Sequence, residues 1–153
     1  MAAVDTRFME ADQEDTEQGN FGPGMEGATF LSNAEVAIVL DAHVKHADGK
    51  EQSGTFTKAH SFCKKFGGIQ GADAEAVVEA LRPTLAGLVF DLHDAEGAHE
   101  RRLSDFELVS LMNLRPTTVD MTRAVLPSLN DLSDDDIAGI LGTLASTASS
   151  LMA

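Results

Sequence analysis

Helix-start signals recur along the chain and constrain its fold more than any other feature of the sequence. Ser32–Glu35 and Ser104–Glu107 are capping boxes, in which the serine hydroxyl accepts from the third helical N–H and the glutamate accepts from the serine N–H. At the second box, Leu103 and Leu108 stand in the positions of a hydrophobic staple. Ser133 precedes three consecutive aspartates, which favour the positive end of a helix dipole. These signals predict a helical body.

Apolar spacing and helix-ending residues place the other helices, about six in all. The first helix runs to about Lys45, and its apolar stripe consists of Val36, Val39, Leu40 and Val44. Thr55 caps the second helix, whose apolar residues at near-helical spacing are Phe56, Ala59, Cys63 and Phe66. Asp73 caps the third, in which Pro83 predicts a kink or a division into two short helices. Thr117 opens a short fifth helix. Strand-like alternation extends nowhere beyond a few positions, so we predict an all-α body.

The start of the chain differs in charge from the rest. Residues 1–30 hold seven acids and one base, and the whole chain of 153 residues carries a net charge of −14. Such a segment buries too little apolar surface to fold by itself. We predict an acidic flexible tail over 1–29, partly ordered on a partner, a helical domain over 30–147 and a flexible C-terminus over 148–153. Candidate anchors of the tail on that partner are Phe8, Phe21 and Met25.

Charge and composition exclude several classes of function. Phosphate backbones repel so acidic a chain, so we expect little or no direct nucleic-acid binding. The nearest approach to a basic cluster is formed by Lys58, Lys64 and Lys65. No apolar run approaches the ~20 residues of a membrane-spanning helix, and the first residues lack the pattern of a secretory signal. A single cysteine, Cys63, excludes an internal disulfide and indicates a reducing compartment.

Candidate catalytic and metal-binding residues are few. His43 and His46 lie three residues apart and could face one metal ion, but no third ligand follows at a fixed spacing. The stretch from Asp91 resembles a calcium loop, yet it places Arg102 where that loop requires a bidentate glutamate. We therefore predict a charged surface loop over residues 91–102. No nucleophile elbow, phosphate loop or general base stands out, so we expect no catalytic residue, no metal and no cofactor.

Two stretches together resemble the smaller stalk subunits of RNA polymerases, a family whose polymerase II member is the fourth subunit. The first stretch, Leu31–Val36, is similar to the opening helix of that family. The second begins at Phe106–Leu108 and ends at Ile140-Leu141. It contains asparagine-leucine-x-proline at 113–116 and leucine-proline-serine-leucine at 126–129, before the acidic helix start at 133–137. The ordered set is specific in combination, and the resemblance spans about residues 30–144.

The resemblance implies a helical bundle of the helicase-and-RNase-D C-terminal (HRDC-like) type and a noncatalytic role in transcription, in the nucleus. It implies a heterodimer with the seventh, larger stalk subunit, whose S1-type barrel handles RNA, and docking of the pair on the core polymerase near the clamp and RNA exit. Carried over by position, the residues at or near the partner interface are Phe30, Leu31, Val36, Val39 and Leu40. Those that set the turns of the C-terminal bundle are Asn113, Leu114, Pro116, Leu126, Pro127, Ser128 and Leu129.

Part of the chain departs from this family, and alternatives remain open. Residues 82–102 are an insertion relative to the shorter connection of the family. Arg115-Pro116 also suits the equivalent subunit of RNA polymerase III, although the sequence at 126–129 favours polymerase II. We further expect part of residues 20–31 to become ordered along the partner, adding a strand to its sheet. An alternative of another class is an acidic helical calcium sensor, and a metal enzyme using His43 is a third.

Overall fold

The described part of the chain consists mainly of α-helices. The computed structural model describes residues 15, 19, 21–22, 25, 27–47, 51–68, 74–94 and 97–150. Its helices are α1 (Asn33–His46), α2 (Gly54–Phe66), α3 (Ala74–Ala86), α4 (Asp105–Leu114), α5 (Val119–Val125) and α6 (Asp134–Ser150). A 3-10 turn, Pro127–Leu129, lies between α5 and α6. The mostly helical fold confirms the predicted class. The flexibility predicted for 1–29 and 148–153 stays a prediction.

Three helix starts lie where the sequence predicts them. Ser32 and Ser104 form complete capping boxes, each serine hydroxyl accepting from the third helical N–H and each glutamate accepting from the serine N–H. Ser133 caps α6, and its hydroxyl oxygen accepts from the Asp136 N–H at 3.1 Å. Leu103, just before the second box, is buried in the core as a hydrophobic staple requires. Local capping chemistry therefore specifies these boundaries.

Other helix boundaries differ from the prediction. Ser53 rather than Thr55 caps α2, and Thr118 rather than Thr117 caps α5, because these side chains reach the third helical N–H in each case. The Asp73 cap predicted for α3 lies outside the described residues. Pro83 does not divide α3 into two helices, because the helix continues to Ala86 although the proline lacks the N–H that would bond to the carbonyl one turn back.

The hydrophobic core lies where α3 and α6 pack together, with α4 alongside α3 and α5 against α6. The fully buried aliphatic side chains from the helices include Val77, Leu81, Leu85, Leu111, Ile137 and Ile140. Those from the connecting segments are Leu126, Leu129 and Leu132. Helix α1 packs on α3, and α2 packs on α1. The α1–α2 pair is therefore an outer layer on the bundle.

The apolar stripe predicted for α1 is not its buried face. The buried residues of α1 are Ala34 and Ala37, whereas Val39 and Val44 are exposed. Val39 lies on the far side of the helix from both alanines, and the small alanine side chains let α1 approach its neighbours closely. Two members of the predicted stripe, Val39 and Val44, are therefore exposed, whereas the other two, Val36 and Leu40, are half-buried.

Helix α2 likewise buries less than its spacing suggests. Cys63 is its one buried residue among those predicted, which agrees with a structural thiol. Phe66 and Ala59 are exposed, and Phe56 is half-buried. The reason is that α2 lies outside α1 and has an extensive contact with that helix alone.

A β-hairpin replaces the charged surface loop predicted over 91–102. Strands β1 (Phe90–Asp94) and β2 (Gly97–Arg101) pair antiparallel, with Phe90 opposite Arg101. The predicted absence of strands is therefore wrong at this position. Phe90 is buried, and Arg101 forms ion pairs with Glu107 and Asp131. Phe90 begins β1 and Arg101 ends β2, so both residues anchor the same end of the hairpin in the bundle. This anchoring compensates for the weak strand propensity of the sequence.

Candidate partner-binding surface

The outward side of α1 and the segment before it expose apolar side chains. Leu31 is 49% exposed and Val39 is 58% exposed, although both are large aliphatic residues. Val44 is also exposed, one turn beyond Leu40. The half-buried members of the predicted interface are Phe30, Val36 and Leu40. Contiguous apolar side chains on one side of a helix are typical of a surface that another protein covers.

A groove between α1 and α3 adjoins this surface. Its volume is about 350 Å³, and Ile38, Val39 and Val78 supply apolar lining. Glu75 and Glu79, both exposed, add carboxylates from α3. Arg82 also lines the groove, which therefore combines an apolar floor with charged groups of both signs at its edge.

An ion pair fixes the position of α1 on α3 beneath the surface. The Arg82 guanidinium donates to both oxygens of Glu35, and the contact from Nη2 to Oε2 is 2.8 Å long. The same Nη2 donates to the Phe30 carbonyl oxygen at 2.8 Å. Arg82 therefore holds both the first turn of α1 and Phe30, two residues before the capping box. A bidentate arginine pair of this kind is geometrically specific.

The pKa values of this pair reflect the same contacts. Burial acts to raise the pKa of Glu35, but hydrogen bonds from Arg82 and Ser32 outweigh it, and the pKa lies below its ordinary value. The hydrogen bond to Glu35 raises the pKa of Arg82. Both groups therefore keep their charges at neutral pH.

Asn113 joins the two stretches that carry the family resemblance. Its Oδ1 accepts from the Asn33 N–H at 2.8 Å, across 80 positions of sequence. That N–H belongs to the first residue of α1 and has no helical acceptor of its own. The second stretch thus caps the helix of the first. This contact gives Asn113 a structural role that its sequence position alone does not reveal.

The remaining motif residues lie in and around the turns of the C-terminal bundle. Leu126 and Leu129 are fully buried, and Pro116 is also buried. Pro127 begins the 3-10 turn, and the Ser128 carbonyl oxygen accepts from Arg101 at 3.0 Å. Leu114, by contrast, is 49% exposed at the end of α4. Its position therefore differs from that of a core residue.

Three aromatic rings join the segment before α1 to α4. The centroid of Phe21 lies 5.3 Å from that of Phe30 and 5.7 Å from that of Phe106. Gly19 has a φ of +76°, and an added Cβ there would lie 2.6 Å from the Phe106 ring. Phe21 is half-buried in this cluster, whereas Met25 is exposed. Phe8, the other proposed anchor, lies outside the described residues.

The two histidines considered for a metal ion are exposed on α1, where the His43 ring contacts Phe56. Across the described ranges, no group of three His, Cys, Asp or Glu residues has an arrangement that could hold a metal ion. The Asp91 stretch forms a hairpin rather than an ion-binding loop. No helix among the described residues is both long enough and apolar enough to cross a bilayer.

Sequence reasoning missed the two arginines that bind the glutamates of the capping boxes. Arg82 binds Glu35, and Arg101 binds Glu107, which is the glutamate of the second capping box. A capping-box glutamate leaves an oxygen free to accept from another donor, so each box signals a place for a cation. Which arginine supplies it depends on tertiary packing.

The fold places the chain in the class of small helical bundle domains. Comparison with known families matches residues 30–148 to the family described as RNA polymerase Rpb4. The chain belongs to this family. A relative is the DNA-directed RNA polymerase II subunit rpb4 of Dictyostelium discoideum. The two proteins are 25% identical over an alignment of 153 positions, which covers 88% of each protein. The resemblance recognised from residues 30–144 is thereby confirmed.

Proposed function

We propose that this chain is a noncatalytic stalk subunit of DNA-dependent RNA polymerase II, acting in the nucleus. Membership of the Rpb4 family supports a role in the polymerase, and the named Dictyostelium relative favours polymerase II over polymerase III. The chain pairs with the larger, S1-domain-bearing stalk subunit, docks through it on the core enzyme and supports initiation. Contact with RNA falls to that partner, since a charge of −14 opposes binding of phosphate.

The exposed apolar side of α1 is the observation that carries the pairing proposal. Leu31 and Val39 lose contact with water only if another molecule covers them. The Glu35–Arg82 ion pair holds α1 on the bundle, so the surface is ordered before the partner arrives. A preorganised surface loses less conformational entropy on binding.

The segment before α1 extends this interface. Part of residues 20–31 adds a strand to the sheet of the partner, a mode in which backbone hydrogen bonds supply affinity. Phe30 places the end of this segment beside α1, because Arg82 holds its carbonyl oxygen. Removing residues 1–31 is expected to weaken partner binding, and unchanged affinity would show that the segment adds nothing.

Copurification from the native cells tests the assignment. We expect the tagged full chain to recover the S1-bearing stalk subunit and the two largest subunits of polymerase II in near-equal amounts. Recovery of polymerase III subunits would assign the chain to polymerase III and contradict the polymerase II assignment. Recovery of no polymerase subunit would contradict the whole proposal.

A substitution on α1 tests the surface itself. Val39→Glu places a charge in the apolar interface and is expected to weaken binding of the stalk partner by about tenfold or more. Val125→Glu is the matched control, because Val125 is an exposed valine on α5, outside the proposed surface. Titration of the purified partner against each variant measures the affinity. Equal weakening by both variants would contradict a specific role for α1.

A further inference from the structure

Helix α2 is basic in a strongly acidic protein. Its thirteen residues include Lys58, Lys64 and Lys65 and no aspartate or glutamate, whereas the whole chain has 25 acids against 11 bases. Lys64 pairs with Asp41 of α1, but Lys58 and Lys65 have no ion pair within the described ranges. Positive charge therefore faces outward along this helix. Neither the packing of α2 on α1 nor the proposed stalk interface requires the charges of Lys58 and Lys65.

An exposed aromatic pair lies among these lysines. Phe62 and Phe66 are 54% and 48% exposed, and their ring centroids are 4.6 Å apart. The Lys65 ammonium lies 5.3 Å from the centroid of Phe66. Residues three and four positions apart share one side of a helix, so Lys58, Phe62, Lys65 and Phe66 form one continuous patch, the α2 patch. Two adjoining phenylalanines at the surface keep a large apolar area in water.

The α2 patch faces away from the bundle. Cys63 marks the inward side of the helix, where it packs on α1. The patch is thus distinct from the outward side of α1, which carries Leu31 and Val39.

We propose that the α2 patch binds an acidic, aromatic- or leucine-containing segment of a protein other than the stalk partner. The paired rings receive the apolar side chains, and Lys58 and Lys65 receive the flanking carboxylates. Charge complementarity identifies this occupant. The α2 patch attracts a short acidic segment, whereas the negative surface around it repels that segment, so binding is favoured at the patch. This inference goes beyond the stalk assignment.

A single-stranded nucleic acid fits the same patch less well. Its binding depends on several phosphate contacts along a basic groove, with aromatic rings available to successive bases. The two phenylalanine rings pack on each other, and the net charge of −14 repels a long polyanion. A short peptide needs only the apolar pair and two charge contacts.

Fluorescence anisotropy with defined probes tests the proposal on the full chain. One probe is a labelled synthetic peptide in which Glu and Asp alternate with Phe and Leu, the second replaces its acids with Lys, and the third is oligouridylate. We expect the acidic peptide to bind and the other two to bind at least about tenfold more weakly. Stronger binding of oligouridylate, or no binding of the acidic peptide, would overturn the proposal.

Paired variants locate the binding. Phe62→Ser with Phe66→Ser, and Lys58→Glu with Lys65→Glu, are each expected to weaken peptide binding by about tenfold or more. Lys45→Glu is the control, because Lys45 is an exposed lysine on α1. The substituted side chains are exposed, so unfolding temperatures should stay close to that of the wild type. Unchanged peptide affinity in the paired variants would overturn the proposal.

The stalk partner provides a separate readout. If the α2 patch is an independent site, the phenylalanine variant retains the affinity of the wild type for the S1-bearing subunit. Loss of that affinity would assign the patch to the stalk interface and overturn a second partner. Failure of the stalk assignment itself would show instead in copurification of the wild-type chain.

Discussion

Single glutamates do two tasks in this protein. Glu35 and Glu107 each accept from the backbone N–H of the capping serine and from the guanidinium of an arginine on a neighbouring element. The first contact begins a helix, and the second ties that helix to another element. A substitution at either position therefore changes local and tertiary structure together.

Replacing Glu35 with glutamine separates these tasks. Glutamine keeps an oxygen for the Ser32 N–H but loses the charge that Arg82 binds. At pH 7 we expect Glu35→Gln to lower the free energy of unfolding by about 1.5–3 kcal/mol, the range for hydrogen bonds to charged groups. Urea unfolding measures the change, with Glu75→Gln as the control, because Glu75 is exposed on α3. Equal effects of the two substitutions would contradict the role of the ion pair.

The pH dependence of this difference has a definite sign. The folded-state pKa of Glu35 lies below its ordinary value of 4.5, so the ion pair contributes its full stabilisation above pH 4.5. That contribution is lost as the pH falls below 4.5 through the folded-state pKa. The difference between wild type and Glu35→Gln should therefore shrink in acid, whereas a difference that is constant with pH would exclude ionisation as its cause.

At the scale of elements, local chemistry predicted where helices begin better than which side they bury. Ser32, Ser104 and Ser133 act within four residues, so their sequence context is sufficient. The buried side of α1 depends on where α3 lies, and sequence spacing favoured the large valines over Ala34 and Ala37. The family resemblance predicted an interface on this helix, but the groove beside it requires α3 and could not be predicted from either helix alone.

The hairpin could not be predicted because its stability does not come from strand propensity. Asp91 and Glu100 are directly opposite each other, an unfavourable pairing of like charges. Phe90 and Arg101, at the strand ends, hold the hairpin in place through contacts with distant residues. Tertiary anchoring of this kind leaves no periodic signal in a sequence.

Arg101 is therefore the residue on which the hairpin depends. Glu107 is only 3% exposed, so Arg101→Ala leaves a buried carboxylate without its cation. We expect a loss of about 3–5 kcal/mol in the free energy of unfolding, together with faster hydrogen exchange of the β1 and β2 amides. Arg102→Ala is the control, because Arg102 is the exposed neighbour and should change stability by less than about 0.5 kcal/mol. Protected hairpin amides in Arg101→Ala would contradict this anchoring role.

At the scale of the whole molecule, charge is the dominant property. Three of the six arginines, Arg82, Arg101 and Arg123, form the ion pairs described, and the acids remain in large excess. Repulsion among the unpaired carboxylates opposes the compact state, although it helps to keep the protein soluble. The α2 patch is a local region of positive charge on this negative protein.

Salt should consequently stabilise the protein. Raising NaCl to about 0.5 M shortens the screening length to about 4 Å, which weakens long-range repulsion more than it weakens partly buried ion pairs. We expect the unfolding temperature to rise by about 2–4 °C, corresponding to about 1 kcal/mol for a chain of this size. Asp91→Asn with Glu100→Gln removes one directly opposed pair, so this variant should unfold at a higher temperature in low salt and gain less from added salt. An unfolding temperature that falls with added salt would contradict this prediction. It would mean that the attraction within the ion pairs outweighs the repulsion among carboxylates, so that this repulsion does not limit the stability of the fold.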